Sequence, residues 1–264
     1  MAAKGLALVT GASNGIGYNL ALELAKDGYD LVIAGKEQAL TAKAESDFKA
    51  EGVQVTSYVG DLSKFQSCMD LWHAAESPGR PVDVACINAG LGVGGDFVST
   101  SLEQEMEMIG VNCASTVHIA KHVTQQMAGR GQGRILFTAS IASEMITPGE
   151  AVYGASRAFV LQFAKNLRYE LKDSGVTITA LQPGPVDTNF FNNAGVGDTK
   201  VGIEGKKESE PNDVARQGLK AMFAGDEHVY AASLKTKIEG AIMGIVPEGI
   251  QSAMHKSMLE PAQK

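Results

Sequence analysis

Between Leu8 and Gly17 the chain reads LVTGASNGIG, an apolar run that breaks into a glycine-rich turn and resumes with helical periodicity. Lys4 to Val9 suits a short buried parallel strand, and Ile16, Leu20 and Leu24 recur at helical spacing directly after the turn. The turn therefore opens a helix. Gly11, Gly15 and Gly17 let the backbone approach a pyrophosphate, whose charge is stabilised by unpaired N–H groups and the positive end of the helix dipole. The spacing is GxxxGxG, with three residues between the first two glycines where the common dinucleotide fingerprint GxGxxG has one. A glycine cluster alone marks many tight turns. Its position between strand and helix makes this one a nucleotide-binding edge.

Strand-like runs at about 4–10, 29–35, 53–60, 82–88, 133–139 and 175–182 alternate with helical segments, which implies a parallel sheet. A chain of 264 residues, 44% of them hydrophobic, buries a full core as one α/β domain spanning 1–264. The clearest helix covers about 150–173, with Val160, Phe163, Ala164, Leu167 and Leu171 on one face. Residues 189–210 lack a strong period. Because ligands sit beyond the carboxyl ends of parallel strands, that stretch reads as a mobile substrate lid, the plainer reading being a surface loop without a role. A C-terminal extension covers about 231–264. Its stretch from Ile238 to Met258 carries Ile242, Met243, Ile245, Val246, Ile250, Met254 and Met258, but Pro247 interrupts it and it is too short to span a membrane. These side chains suit a substrate pocket, a subunit contact or plain core packing.

Several function classes drop out. With a net charge of −7, a pI near 5.3 and no basic cluster among its 23 Lys and Arg residues, the chain has no electrostatic footprint for nucleic acid. Cys68, Cys86 and Cys113 are scattered and read as reduced core thiols. The N-terminus enters the first strand at once, without room for an export signal, and the expected location is the cytoplasm. His118 and His122 are four apart and share a helix face, but neither a glutamate base nor a third ligand accompanies them, so no metal is expected. No GxSxG elbow surrounds Ser140, which excludes a hydrolase nucleophile there.

A polar or small residue follows each expected strand: the turn at 10–17, Gly35-Lys36, Asp61-Leu62, Asn88-Ala89-Gly90, Ser140 and Pro183-Gly184. That row outlines one elongated cleft. Asp61 is placed to accept a hydrogen bond from an adenine amino group, and Asn88-Ala89-Gly90 bends the backbone away after a buried strand. Either is also compatible with an ordinary turn. Ser140 and Tyr153 bring a hydroxyl at a strand end toward a phenol near a helix start. Asn112 falls inside another helix, where its amide either serves the site or bends the helix.

In this order, TGASNGIG at 10–17, NAG at 88–90, Asn112, Ser140, Tyr153 within YGASR and PGPVDT at 183–188 resemble the short-chain dehydrogenases/reductases. The resemblance runs to about residue 230, with Gly175 to Phe191 similar to the fatty-acyl and steroid-type reductase branch. The last residues, 231–264, match more loosely. It implies a three-layer, doubly wound Rossmann-type domain that binds NAD or NADP and moves a hydride between nicotinamide C4 and a carbonyl or alcohol carbon of a small molecule. It also implies a homodimer or homotetramer, through helices at about 101–128 and 150–173. Ser13, Asn14, Ile16, Leu62, Ala89, Gly184 and Val186 fall along the implied cofactor site. Tyr153 is the implied general acid and Ser140 its partner on the carbonyl oxygen.

One position departs from the pattern. The family's lysine, one helical turn after the tyrosine, is Arg157 here. Arginine keeps the positive charge that favours a phenolate and can donate to a ribose hydroxyl, but it does not give up a proton, so a relay through Asn112 and water is altered. Two functional readings follow: an oxidoreductase with Arg157 as a fixed cation, or a catalytically impaired NADP-binding sensor. For the cofactor, Gly35 and Lys36 end the second strand without an acid to repel a 2′-phosphate, which favours NADP over NAD. The plainer reading of Lys36 is a solvated loop lysine. Thr188 stands where the family bonds the nicotinamide carboxamide, or else caps a following helix. Met145, Phe190 and Phe191 suggest an apolar or amphipathic substrate.

Overall fold

The six expected strands form and a seventh joins them. They are β1 (Gly5–Thr10), β2 (Tyr29–Gly35), β3 (Val55–Val59), β4 (Val84–Ile87), β5 (Gly133–Thr138), β6 (Val176–Pro183) and β7 (His228–Ala231). The structure is a computed structural model that describes residues 3–203, 209–231 and 246–262. All strands are parallel, in the order β3-β2-β1-β4-β5-β6-β7. Strand order reverses between β1 and β4, which opens a crevice at their carboxyl ends. The central strands read as near-continuous apolar runs because helices cover both faces. β7 escapes the sequence reading for a physical reason: it is four residues long, lies at the sheet edge and begins with exposed His228, so it presents no apolar run.

One helical layer comprises α3 (Phe65–Glu76), α5 (Ser115–Gly129) and α6 (Ala151–Glu170), whose Leu71, Trp72, Ile119, Val123, Val160 and Leu161 pack on the sheet. The opposite layer is built from α1 (Gly15–Lys26), α2 (Gln38–Lys49) and α8 (Pro211–Ala224) through Leu20, Leu24, Phe48, Val214 and Met222. This is the three-layer, doubly wound arrangement expected. The helix α4 (Leu102–Ile109) runs into α5 through a π-helical turn at Gly110–Ala114. Cys68, Cys86 and Cys113 are free, and burial pushes the Cys86 thiol up to about 12 and Cys68 to about 11, so neither core thiol is reactive near neutrality.

Within the stretch read as a lid, Phe190–Asn193 form a short helix, α7, and Ala194, Val196 and Val201 are buried. Thr199 bridges to Pro261, and the Lys200 N–H donates to the Glu260 carbonyl at 2.9 Å. Those residues pair with the chain's last described turn, which follows α9 (Glu248–Leu259). Residues 204–208 of the lid, and Ile242, Met243 and Ile245 of the apolar C-terminal stretch, lie outside the described residues.

Glu23 joins α1 to α8. Its partial burial works against ionisation, but hydrogen bonds from Arg216, Asn212 and Lys26 overcome that and hold the carboxyl at about 2, against an ordinary 4.5. A folded-state value below the unfolded one contributes stability that is complete above pH 4.5 and drains away as pH falls toward 2. Glu23→Gln should therefore flatten the acid limb of a stability-against-pH curve from urea unfolding. An unchanged slope over that window would contradict the assignment.

Candidate active site

The carboxyl ends of β1, β4 and β5 are tied together by polar side chains. Thr10 Oγ1 accepts from the N–H groups of Asn88 and Ala89 at 2.9 and 3.0 Å, Asn88 Nδ2 donates to the Thr10 carbonyl, and Thr138 Oγ1 donates to Asn88 Oδ1 at 3.0 Å. Thr10 and Thr138 were not singled out from sequence; a hydroxyl at the end of a buried strand was the available signal. The clasp leaves a cavity of about 340 Å³ over the crevice. Its wall includes Gly11, Ser13, Asn14, Gly15, Ile16 and Gly17 from the first turn, together with Lys36, Asp61, Leu62, Asn88, Ala89 and Gly90. Ser140, Tyr153, Arg157, Pro183, Gly184, Val186 and Thr188 complete the row read from the sequence.

This wall suits a dinucleotide. Gly11 and Gly15 have φ of 69° and 58°, the left-handed region that favours glycine. At Gly17 a Cβ would overlap the Gly11 carbonyl and the Asn88 amide. Asn14 occupies the N-cap of α1 without a side-chain cap, so the helix's first N–H groups face the cavity uncapped by their own N-cap. Thr188 Oγ1 accepts from the Phe190 N–H at 3.3 Å, two residues on, so its hydroxyl fastens the start of α7 while the residue lines the cavity.

Tyr153 sits in the first turn of α6, its ring between Phe190 (centroids 5.4 Å apart) and the guanidinium of Arg157, whose Cζ lies 5.2 Å from the ring centroid. Ser140 caps a 3-10 turn, its Oγ accepting from the Ala142 N–H at 3.1 Å while its own N–H donates to Ser143 Oγ. A hydroxyl used as an acceptor in this way retains its proton for donation. Arg157 is 5% exposed. Its Nη1 donates to the Thr138 carbonyl at 3.1 Å, and a Cβ on Gly90 would overlap its Nη2. Gly90 is therefore required by the arginine.

Asn112 does not line the cavity. It is fully buried in the π-helical turn, where Oδ1 accepts from the Leu91 N–H at 2.8 Å and Nδ2 donates to the Leu91 carbonyl and to Ser156 Oγ at 2.9 Å. The amide thus pins the segment after β4 to the helix bearing Tyr153.

Lys36 is neither free nor simply solvated. Its ammonium binds Glu107 of α4 and lies 3.8 Å from Asp61, and the Glu107 hydrogen bond, followed by the Asp61 charge, raises its pKa against the opposing effect of burial. Asp61 is held below its ordinary value despite burial, through the Ser63 N–H and the charges of Lys36 and Lys64. Glu37 also lines the cavity, so a carboxylate stands beside Lys36 after all. His122 stacks on Trp72, and His118 packs at a tilt against Phe65 with its Nε2 3.2 Å from Met69 Sδ.

At the other end Met145, Phe190, Phe191, Val201, Met254 and Met258 line the cavity, with Glu150 and His255 among them. The apolar residues were legible, Met254 and Met258 among several possibilities. Glu150 and His255 were missed because 105 residues separate them and no local pattern marks either.

The family model described as short chain dehydrogenase matches residues 5–199. An uncharacterized short-chain type dehydrogenase/reductase of Sinorhizobium fredii is 34% identical over 248 residues, 90% of this chain and 93% of its own length. Among solved structures, a short-chain dehydrogenase/reductase from Burkholderia phymatum in complex with NAD superposes with a TM-score of 0.82 at 22% identity, covering 99% of both chains. A short-chain dehydrogenase from Sphingobium yanoikuyae in complex with NADPH gives 0.79 at 24% identity, over 86% and 87%. The chain belongs to the short-chain dehydrogenase/reductase family and is an oxidoreductase of that family. A nicotinamide cofactor is consistent with the glycine cradle and with both of those complexes.

Proposed function

We propose that the protein reduces a carbonyl on an apolar or amphipathic small molecule, or oxidises the corresponding alcohol, with Tyr153 as the general acid/base and NADP preferred over NAD. The observation that carries this reading is the packing of the Tyr153 ring against the Arg157 guanidinium in the wall of a cavity shared with Ser140. When bound, the reduced nicotinamide supplies the hydride. The Tyr153 phenol gives its proton to the carbonyl oxygen, and Ser140, its Oγ already accepting from Ala142, donates a hydrogen bond to that oxygen. A phenolate left behind is stabilised by the guanidinium, which stays charged at any working pH. Arg157 contributes charge but no proton, and Asn112, turned away into Leu91 and Ser156, acts by holding α6 in place.

For the cofactor, Lys36 and Ser13 line the cavity beside Gly35, where a Cβ would meet Thr41 Oγ1 and Ser13. A 2′-phosphate carries more charge than the Glu107 carboxylate and accepts more hydrogen bonds, so it competes for the Lys36 ammonium. Lys36→Ala should lower the ratio of kcat/KM for NADPH over NADH by about tenfold, the loss of one charge-assisted hydrogen bond. If steady-state assays with both cofactors give an unchanged ratio, Lys36 does not read the phosphate. Favouring the second reading, a catalytically impaired NADP-binding sensor, is the tie of Arg157 to the Thr138 carbonyl, a purely structural use of the cation. The two readings part on turnover.

The expected homo-oligomer rests on exposed apolar side chains of α4, α5 and α6, including Met106, Val117, Phe159 and Tyr169. We place it in the cytoplasm on its three free thiols, two of them buried. No helix among the described residues is long and apolar enough to cross a membrane.

A further inference from the structure

Glu150 and His255 form an ionisable pair inside the substrate end of the cavity. Glu150 is 6% exposed and His255 7%, and their Oε2 and Nε2 atoms are 3.1 Å apart. The contact is close but not aligned as a hydrogen bond, and His255 Nε2 has no hydrogen-bond partner among the described residues. The same cavity is lined by the apolar side chains of Met145, Phe190, Phe191, Met254 and Met258.

The backbone of Glu150 is held in place. Its N–H donates to the Thr147 carbonyl at 3.0 Å, and its carbonyl accepts from the Gly154 N–H and Thr147 Oγ1. Glu150 occupies the N-cap of α6, where an acidic side chain commonly binds the helix's first N–H groups; here it makes no such bond and turns to His255 instead. Nor is the pair needed to dock α9. Gln251, one turn before His255, accepts from the Ile146 N–H at 2.9 Å and donates to the Val246 carbonyl at 2.8 Å, and Gly149 lies under Leu259.

Burying two ionisable side chains in an apolar wall is costly unless their hydrogen bonds are completed. The group that completes them must donate to a carboxylate and accept from an imidazole N–H. A carbonyl oxygen only accepts, and an ammonium only donates and is repelled by a protonated imidazole. A hydroxyl does both. Resting on the reading of Tyr153 as the carbonyl-reducing acid, we propose that Glu150 and His255 are specificity-determining residues that bind a hydroxyl of the substrate. The substrate class is then a hydroxylated carbonyl compound whose hydroxyl lies apart from the reacting carbon.

The test compares 4-hydroxycyclohexanone with 4-methylcyclohexanone, in which a methyl replaces the hydroxyl, as substrates with NADPH. The native protein should favour the hydroxyl compound in kcat/KM by at least about tenfold, His255→Leu should bring the ratio to about one, and His255→Asn, which keeps a donor, should restore part of it. Melting temperatures check that each variant is folded. A native ratio of one or below, or a ratio unchanged in folded His255→Leu, overturns the proposal. If no ketone is turned over, it is the reductase reading that fails, and the hydroxyl site is then judged by binding. In that case 1,4-cyclohexanediol should raise the melting temperature of the NADPH-loaded native protein more than 4-methylcyclohexanol does, and not in His255→Leu; equal shifts overturn the site.

Discussion

Tyr153→Phe is expected to lower kcat by about 10²–10⁴-fold, the usual contribution of a positioned acid, while NADPH binding measured by fluorescence stays near the native value. The substitution is selective because phenylalanine preserves the ring contacts with Phe190 and Arg157 and removes only the O–H. A purely structural role for Tyr153 predicts the reverse, a lowered melting temperature with turnover intact. Ser140 Oγ accepts from the Ala142 N–H and keeps its proton for a hydrogen bond to the carbonyl oxygen, a supporting role that does not supply the proton transferred in the reaction. A variant with more than about a tenth of native kcat, well short of that loss, would remove Tyr153 from the chemistry.

Gly17→Ala carries the second large effect. A Cβ there meets backbone, the Gly11 carbonyl, and the Asn88 amide, which is itself held by Thr10 and Thr138. None of these is the free end of a flexible chain, so the turn must shift. Overpacking of this kind costs on the order of 1–3 kcal/mol of stability, and moving the uncapped start of α1 removes the anion site it forms. The expected result is a folded protein with a lower melting temperature and NADPH affinity weakened by at least about a hundredfold, or roughly 2.7 kcal/mol. Titration showing native affinity in Gly17→Ala would mean that the pyrophosphate does not approach this turn.

Much of this architecture was legible because its determinants are local. The central strands are buried on both faces and read as apolar runs, and the glycines of the first turn are demanded by positive φ or by lack of room, constraints that only glycine meets. β7 was not legible because an edge strand of four residues has no such run. Side-chain destinations were less legible than positions. Lys36 and Arg157 were both recognised as cations at the cleft, but their partners, Glu107 on α4 and the Thr138 carbonyl on β5, are set by tertiary packing. Asn112 is legible as a candidate, but the partners of its side-chain amide, Leu91 and Ser156, are set by the π-helical turn and tertiary packing. The pair of Glu150 and His255 lay beyond any local signal, since the contact exists only once the C-terminal helix has closed over the cavity.

The central claim is that Arg157 serves as a fixed cation in a working reductase. It is tested most directly by following NADPH oxidation across pH with a panel of ketones and aldehydes, comparing the native protein with Arg157→Lys. Both proteins should turn over, the lysine variant differing in rate or in the shape of its pH profile because an ammonium can exchange a proton where a guanidinium cannot. Turnover by Arg157→Lys alone, with the native protein binding NADPH but reducing nothing, would contradict it and identify the chain as a nucleotide-binding module.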